Sequence, residues 1–277
     1  MSRPMIQAAV TMNQLQQKMD LIGNNLANSQ TTGYKSRLAH FSSLLFQHID
    51  NMQETEVNAE GRLTPDGIRV GTGARLAPTM LDLTPGAINE TDRSLDTALL
   101  TENHLFQIAV TENGITETRY TRDGAFYISP LGDGESVLLT TKDGYPVLGE
   151  NGPIEFANDF EDITVQPDGQ ITITRDGVTE TIDNLAIVEA TRPNILEAVG
   201  ENIFRLPDID VLGYDVNDII QPVALNGEVV KSGALEQSNV DLAEQMTDLL
   251  TAQRSYQFNA RTISMSDQMS SLINQLR

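Results

Sequence analysis

From Met5 onward, apolar residues recur at Met5, Ala8, Met12, Leu15, Met19, Ile22 and Leu26, an unbroken alternation of three- and four-residue steps over three heptads. That spacing predicts one helix with an a/d seam, because a 3.5-residue repeat keeps those side chains on a single stripe. Gln7, Asn13, Gln14, Gln17, Lys18 and Asp20 fill the other faces, so the helix needs one specific partner surface. Asn28, Thr31, Thr32 and Gly33, residue types that favour turns and C-caps, end the pattern.

A second long helix is predicted from Asn239 to Leu276, with Ser238 or Asn239 as N-cap and Asp241 in the first turn. Its apolar residues form two stripes. One holds Leu242, Met246, Leu249, Tyr256, Ala260 and Ile263, and the other Ala243, Leu250, Phe258, Met265, Met269, Leu272 and Leu276. A helix that is apolar on two faces must be covered on two. Two arrangements would do this: the terminal helices pair and meet further copies of the chain, or both pack on the middle of the same chain. Their separation to opposite ends, around a middle of different character, favours assembly.

That middle is punctuated by Asn113-Gly114, Asp123-Gly124, Asp143-Gly144, Asp168-Gly169 and Asp176-Gly177, pairs that supply the positive φ angles of tight hairpins. Between them lie short strand candidates, 105–110, 115–120, 125–128, 137–141, 170–174 and 185–190, with no long helical pattern. An antiparallel β domain is expected. Residues 51–79 carry Gly61, Pro65, Gly67, Gly71, Gly73 and Pro78 without periodicity and read as part of an extended arm. The predicted fold is mixed α and β: a helix over 1–40, an arm over 41–79, a β-rich central domain over 80–235 and a helix over 236–277.

Composition changes this picture little. The chain of 277 residues is long enough for one large domain or two smaller ones, and with 5% aromatics and no Trp its core must be aliphatic. Charge is more informative. Of the net −21, almost all sits in the middle, where residues 51–235 hold eleven Lys or Arg against thirty-two acids. Such a surface repels phosphate backbones, which argues against nucleic acid as a partner. With no Cys there is no disulfide framework and no thiolate metal site. The first ten residues lack a secretory signal pattern, and no apolar run reaches the ~18 residues of a membrane span.

Candidate chemistry is sparse. His40, His48 and His104 are too scattered for a metal motif; Glu102 and His104 would share one face of a strand, but two ligands do not make a site. GIRVGTG matches neither nucleotide-loop spacing, and LGDGE at 131–135 reads as a hairpin tip rather than a Ca²⁺ loop. No catalytic, cofactor or metal residue is assigned, no small-molecule substrate is expected, and the chain is read as a structural protein rather than an enzyme.

The segment 20–35, DLIGNNLANSQTTGYK, closely resembles the N-terminal signature of the flagellar axial proteins, the rod and hook family. GALEQSNVDL at 233–242, with Gln245-Met246 and 253–256 after it, resembles their C-terminal signature in order and in position. TPGAINETDRSLDTAL at 84–99, Tyr120-Thr-Arg-Asp-Gly124, DGYPVLGENGPI at 143–154 and 198–203 look like the rod branch. One departure lies at 101–106, where relatives more often have a glycine-containing turn. The resemblance implies terminal helices that pair as a coiled coil lining a tube, a β domain as outer shell, and export through the flagellar apparatus without a cleaved signal. It implies an assembly interface at Met12, Leu15, Met19, Ile22, Asn24, Asn25, Leu26 and Asn28, and at Ser238, Asn239, Val240, Leu242, Met246, Leu249, Gln253, Arg254 and Tyr256. FSSLLF at 41–46, through Phe41, Leu45 and Phe46, is similar to the family's export-recognition segment. The partners implied are copies of the chain, other rod and hook proteins, and the export apparatus. The residues also admit a second reading, an extracellular acidic β-domain binding module dimerised by its helices.

Overall fold

The computed structural model describes residues 3–43, 46–50, 67–71, 74–77, 79–112, 114–132, 134–208, 213–224 and 227–275. Leu45, Leu276 and residues 51–66 of the expected arm lie outside them. The architecture is mixed α and β, with a helix at each end of a β-rich middle. It divides into two compact units: Met1–Asn24, Leu38–Met80 and Ala243–Arg277 in one, Asn25–Arg37 and Leu81–Leu242 in the other.

The first unit holds most of α1 (Arg3–Ala27) and of α2 (Leu242–Gln275). Along α1 the predicted seam is the covered stripe: Ala8, Leu15 and Ile22 are buried, and Met5, Met12, Met19 and Leu26 are half-buried, whereas Ile6 beside them is exposed. Much of the seam is therefore already shielded within a single chain. Lys18 of α1 and Asp248 of α2 form an ion pair at 2.9 Å. Gln14, which sequence places on a polar face, accepts a hydrogen bond from the Leu76 N–H at 2.7 Å.

Where sequence predicts an extended arm, the described residues form two antiparallel ladders. Phe41–Ser43 pairs with Ala74–Leu76, and Phe46–Asp50 pairs with Gly67–Gly71, from Phe46↔Gly71 to Asp50↔Gly67. The partners are not adjacent in sequence, and each run is too short for its alternation to stand out among the glycines. The long-range pairing, absent from any local pattern, makes these strands.

In the second unit a six-stranded sheet is built from β1 (His104–Glu112), β2 (Ile115–Thr121), β3 (Ile187–Ala190), β4 (Glu197–Ala198), β5 (Ile203–Arg205) and β6 (Ile220–Pro222), in the order β4-β5-β2-β1-β3-β6. Every paired neighbour in it is antiparallel. Strand β1 is buried on both faces. Phe106, Ile108 and Val110 enter one core with Phe126, Leu139 and Ile171, while Leu105 enters a second with Tyr120, Val188 and Phe204. Phe106 and Phe126 meet edge to face with centroids 5.1 Å apart. The unit also holds two three-stranded antiparallel sheets, one from Tyr127–Pro130, Ser136–Thr140 and Glu155–Ala157 and one from Asp162–Val165, Gln170–Arg175 and Val178–Asn184. It holds shorter pairings as well, among them Ala234–Glu236 on Ile88–Glu90 and Val230–Ser232 on Thr97–Leu99.

The glycine pairs behave mostly as turn signals. Asp176-Gly177 caps the Arg175↔Val178 hairpin with φ of 50° and 74°, and Gly114 (φ 80°) lies in the turn between Glu112 and Ile115, the pair that closes the β1–β2 hairpin. Around LGDGE, the described residues close a hairpin through the Leu131 N–H on the Ser136 carbonyl. Asp123-Gly124 is different. Asp123 is buried, and a Cβ on Gly124 would collide with the Thr97 carbonyl, so this glycine answers a close approach of two backbones rather than a turn. Asn103, in the departure at 101–106, takes the left-handed conformation (φ 60°) that a glycine would otherwise supply. Glu102 lies exposed in the preceding turn, so it does not share a strand face with His104.

Candidate functional site

Four of the six segments quoted for the resemblance, distant in sequence, converge inside the second unit on one buried polar cluster. Lys35, just beyond the end of α1, places Nζ 2.7 Å from Glu236 Oε1 and 2.7 Å from the Thr84 carbonyl. Arg122 Nε donates to Glu236 Oε2 at 2.6 Å, and its terminal nitrogens donate to the carbonyls of His104 and Leu99. Side-chain exposure is 0% for both cations and 1% for Glu236. One carboxylate thus serves two cations shielded from solvent, and three backbone carbonyls take up further donors. Glu236 Oε1 also accepts the Gly86 N–H at 2.7 Å. Burial pushes the Lys35 amine below the ordinary lysine range against the pull of Glu236.

Beside this cluster, Asp123 accepts hydrogen bonds from the Thr32 hydroxyl, the Ala125 N–H and Asn202 Nδ2 at 3.0–3.1 Å. Desolvation raises its carboxyl above the usual range despite those donors. Gly33 turns there with φ of 64°; a Cβ on it would lie 2.5 Å from the Asp123 nitrogen, so no other residue fits without displacing the backbone.

Asn25 and Asn239 are engaged in the same region. Asn25, 1% exposed, accepts the Tyr34 hydroxyl and the Arg37 N–H and donates to the Arg37 carbonyl. Asn239 accepts the Ser36 N–H at 2.8 Å and donates toward the carbonyls of Asp82 and Thr84 at 3.0 and 3.2 Å. Asn239, expected as a helix cap, is instead a clamp between segments, and α2 starts three residues later at Leu242. Asn28 is buried and accepts the Thr31 hydroxyl. These three asparagines, expected at contacts between subunits, use side-chain oxygens or amides within one chain.

The remaining expected residues fall into two groups. Leu15 and Ile22 are buried, and Met12, Met19, Leu26, Ser238, Val240, Leu249 and Tyr256 are half-buried. Asn24, Leu242, Met246, Gln253 and Arg254 are exposed. Of the two stripes of α2, the first is half-buried from Leu249 through Tyr256, Ala260 and Ile263. The second stays in solvent, with Leu250, Phe258, Met265, Met269 and Leu272 all more than half exposed. Phe41 is exposed, with the Lys18 amine 5.8 Å from its ring centroid.

Sequence reasoning quoted Lys35, Arg122, Asn202 and Glu236 inside motifs without giving them a role. Strand alternation carried a signal for one: Ala234 and Glu236 share a face, and Ala234 is fully buried, so the acid follows it inward.

The chain is a flagellar axial protein by its relatives, and it belongs to the flagellar basal-body rod and hook family. Residues 7–35 match the family described as Flagella basal body rod protein, residues 101–173 the Flagellar hook protein FlgE/F/G D1 domain, and residues 231–276 the Flagellar basal body rod FlgEFG protein C-terminal. The chain is 40% identical over 280 residues to the Flagellar hook-basal body complex protein FlhP of Bacillus subtilis, covering 100% of both chains. It is 33% identical to the Flagellar basal-body rod protein FlgG of Borreliella burgdorferi, over 100% of this chain and 99% of that one. Against FlgG of Agrobacterium fabrum it is 32% identical, over 96% of each.

Proposed function

We propose that this chain is a structural subunit of the bacterial flagellar basal-body rod, in the hook-basal-body complex, and that it self-assembles through its terminal helices into a tubular axis. On this reading α1 and α2 pair as a coiled coil, the axis transmits torque and encloses an export channel, and the subunit reaches it through the flagellar export apparatus. Its partners are copies of itself and other rod and hook proteins. A family of structural rod proteins points to a non-enzymatic role. Among the described residues no helix is long and apolar enough to cross a membrane.

The observation that carries this reading is the second stripe of α2. Leu250, Phe258, Met265, Met269 and Leu272 lie in water on one chain, and a stripe of that length facing solvent calls for a neighbour. The Lys18–Asp248 pair supports the pairing of the helices, though an ion pair this exposed is worth only about 0–1 kcal/mol.

The test is complementation of a strain lacking this protein. Phe258→Asp combined with Met265→Asp is expected to leave thermal unfolding of the purified subunit unchanged and to abolish rod completion, seen as basal bodies truncated at this level. Normal rods built from that variant would overturn the reading.

A further inference from the structure

The chain passes between its two units at 24/25, 37/38, 80/81 and 242/243. Inside the β-rich unit, the segments beside all four passages are hydrogen-bonded to one another. Asn25 grips the backbone of Arg37 on both its N–H and its carbonyl, at 3.1 and 2.9 Å. Next to it, the Ser36 carbonyl accepts the Asp82 N–H at 3.0 Å. Asn239, three residues before α2, bonds the Ser36 N–H on one side and the Asp82 carbonyl on the other. Under this layer, Lys35, Glu236 and Arg122 fasten the same segments to strands of the core.

Two properties set this clasp apart from ordinary packing. Apolar contacts are non-directional and can slide, whereas hydrogen bonds weaken steeply with misalignment, so a polar clasp fixes register. A buried ionic cluster is also a poor way to gain stability, since apolar residues of similar volume often do as well or better. A role in holding segments in place accounts for its presence.

We propose that the clasp is a force-bearing lock. It holds the roots of both helices and of the 38–80 segment to the β-rich unit as one set, so that a twist applied to the helices by neighbouring subunits enters the sheet through Lys35, Glu236 and Arg122. The force-bearing role rests on the assembly proposed above; the lock itself does not.

The lock is tested on the full-length chain by hydrogen exchange in Asn239→Ala and in the Lys35→Met/Glu236→Gln double variant. The amides of Gly33, Ser36, Asp82 and Gly86, which donate into the clasp, are expected to exchange about 100-fold faster, while those of β1 and of Gln170–Arg175 keep their rates. Acceleration of all of them together would make the clasp part of one cooperative core, and unchanged rates would show that it holds nothing; either overturns the proposal. Should the double variant fail to fold, Asn239→Ala, which keeps every charge, carries the same comparison. In complemented cells, Asn239→Ala is expected to swim normally in dilute medium and to lose motility as viscosity is raised. Normal swimming under load, or failure to build the rod at all, overturns the force-bearing role. Rods built normally by the Phe258→Asp/Met265→Asp chain would remove the assembly reading and leave the exchange result standing.

Discussion

Lys35 Nζ and Glu236 Oε1 lie 2.7 Å apart although 201 positions separate the two residues, and solvent reaches neither side chain. Glu236→Ala leaves the Lys35 and Arg122 cations without a counter-ion in a dry site and is expected to lower the unfolding free energy by about 3–5 kcal/mol. Lys35→Ala leaves Glu236 paired with Arg122 and is expected to cost less. Denaturant titration of the purified chain measures both, and a loss below about 1 kcal/mol in Glu236→Ala would mean that water enters the cluster.

Leu15 and Phe258 are both large apolar helix residues, one 5% and the other 68% exposed. Leu15→Asp is expected to destabilise the isolated subunit by several kcal/mol, since the aspartate must be buried charged or take up a proton. Phe258→Asp should stay within about 0.5 kcal/mol of the parent. Calorimetry of the two variants side by side decides it; equal losses would refute the difference in exposure.

Glycines offer a contrast of sign. Gly33→Ala places a Cβ against the Asp123 backbone at a φ of 64° and is expected to cost more than the ~1–2 kcal/mol of the left-handed conformation alone. Gly23, within α1, has nothing within 4 Å of its would-be Cβ, so Gly23→Ala should raise stability by about 1 kcal/mol through helix propensity. Thermal midpoints of the two variants moving in the same direction would contradict this.

His104 is buried, its Nδ1 has no hydrogen-bond partner, and burial holds its pKa below the ordinary value. The unfolded chain therefore binds the proton first as pH falls through about 6.5. Stability present above that pH is lost as pH falls toward the folded pKa, with a slope of at most about 1.4 kcal/mol per pH unit. Unfolding free energies between pH 7.5 and 5 should show this loss in the parent and a smaller one in His104→Gln. Parallel curves would exclude His104 as the cause.

What could be read from sequence followed the range of the interaction. The seam from Met5 to Leu26 is a local repeat, and it is the stripe the fold covers. Asp176-Gly177 likewise encodes its own φ angles, so its hairpin was legible from two residues. The ladder of Phe46–Asp50 on Gly67–Gly71 was not, because each run is five residues long and its partner is remote. Asp123-Gly124 carries the letters of a turn but serves a backbone contact with Thr97, which no local pattern records. The cluster of Lys35, Arg122 and Glu236 was least legible. Composition makes charged residues surface residues by default, and only three segments brought together reveal that these are not.

The two three-stranded sheets, from Tyr127 to Ala157 and from Asp162 to Asn184, contribute no side chain to the Lys35–Glu236–Arg122 cluster, and their hairpin tips at 131–135 and at Asp176-Gly177 point to a practical use. A short epitope or a fluorophore-binding tag spliced into either tip would ride on the subunit without touching what anchors its ends. The sheets themselves are not exchangeable in the same way, because Leu139 and Ile171 share a core with Phe106 and Ile108 of β1 and replacing them would strip that strand of its packing.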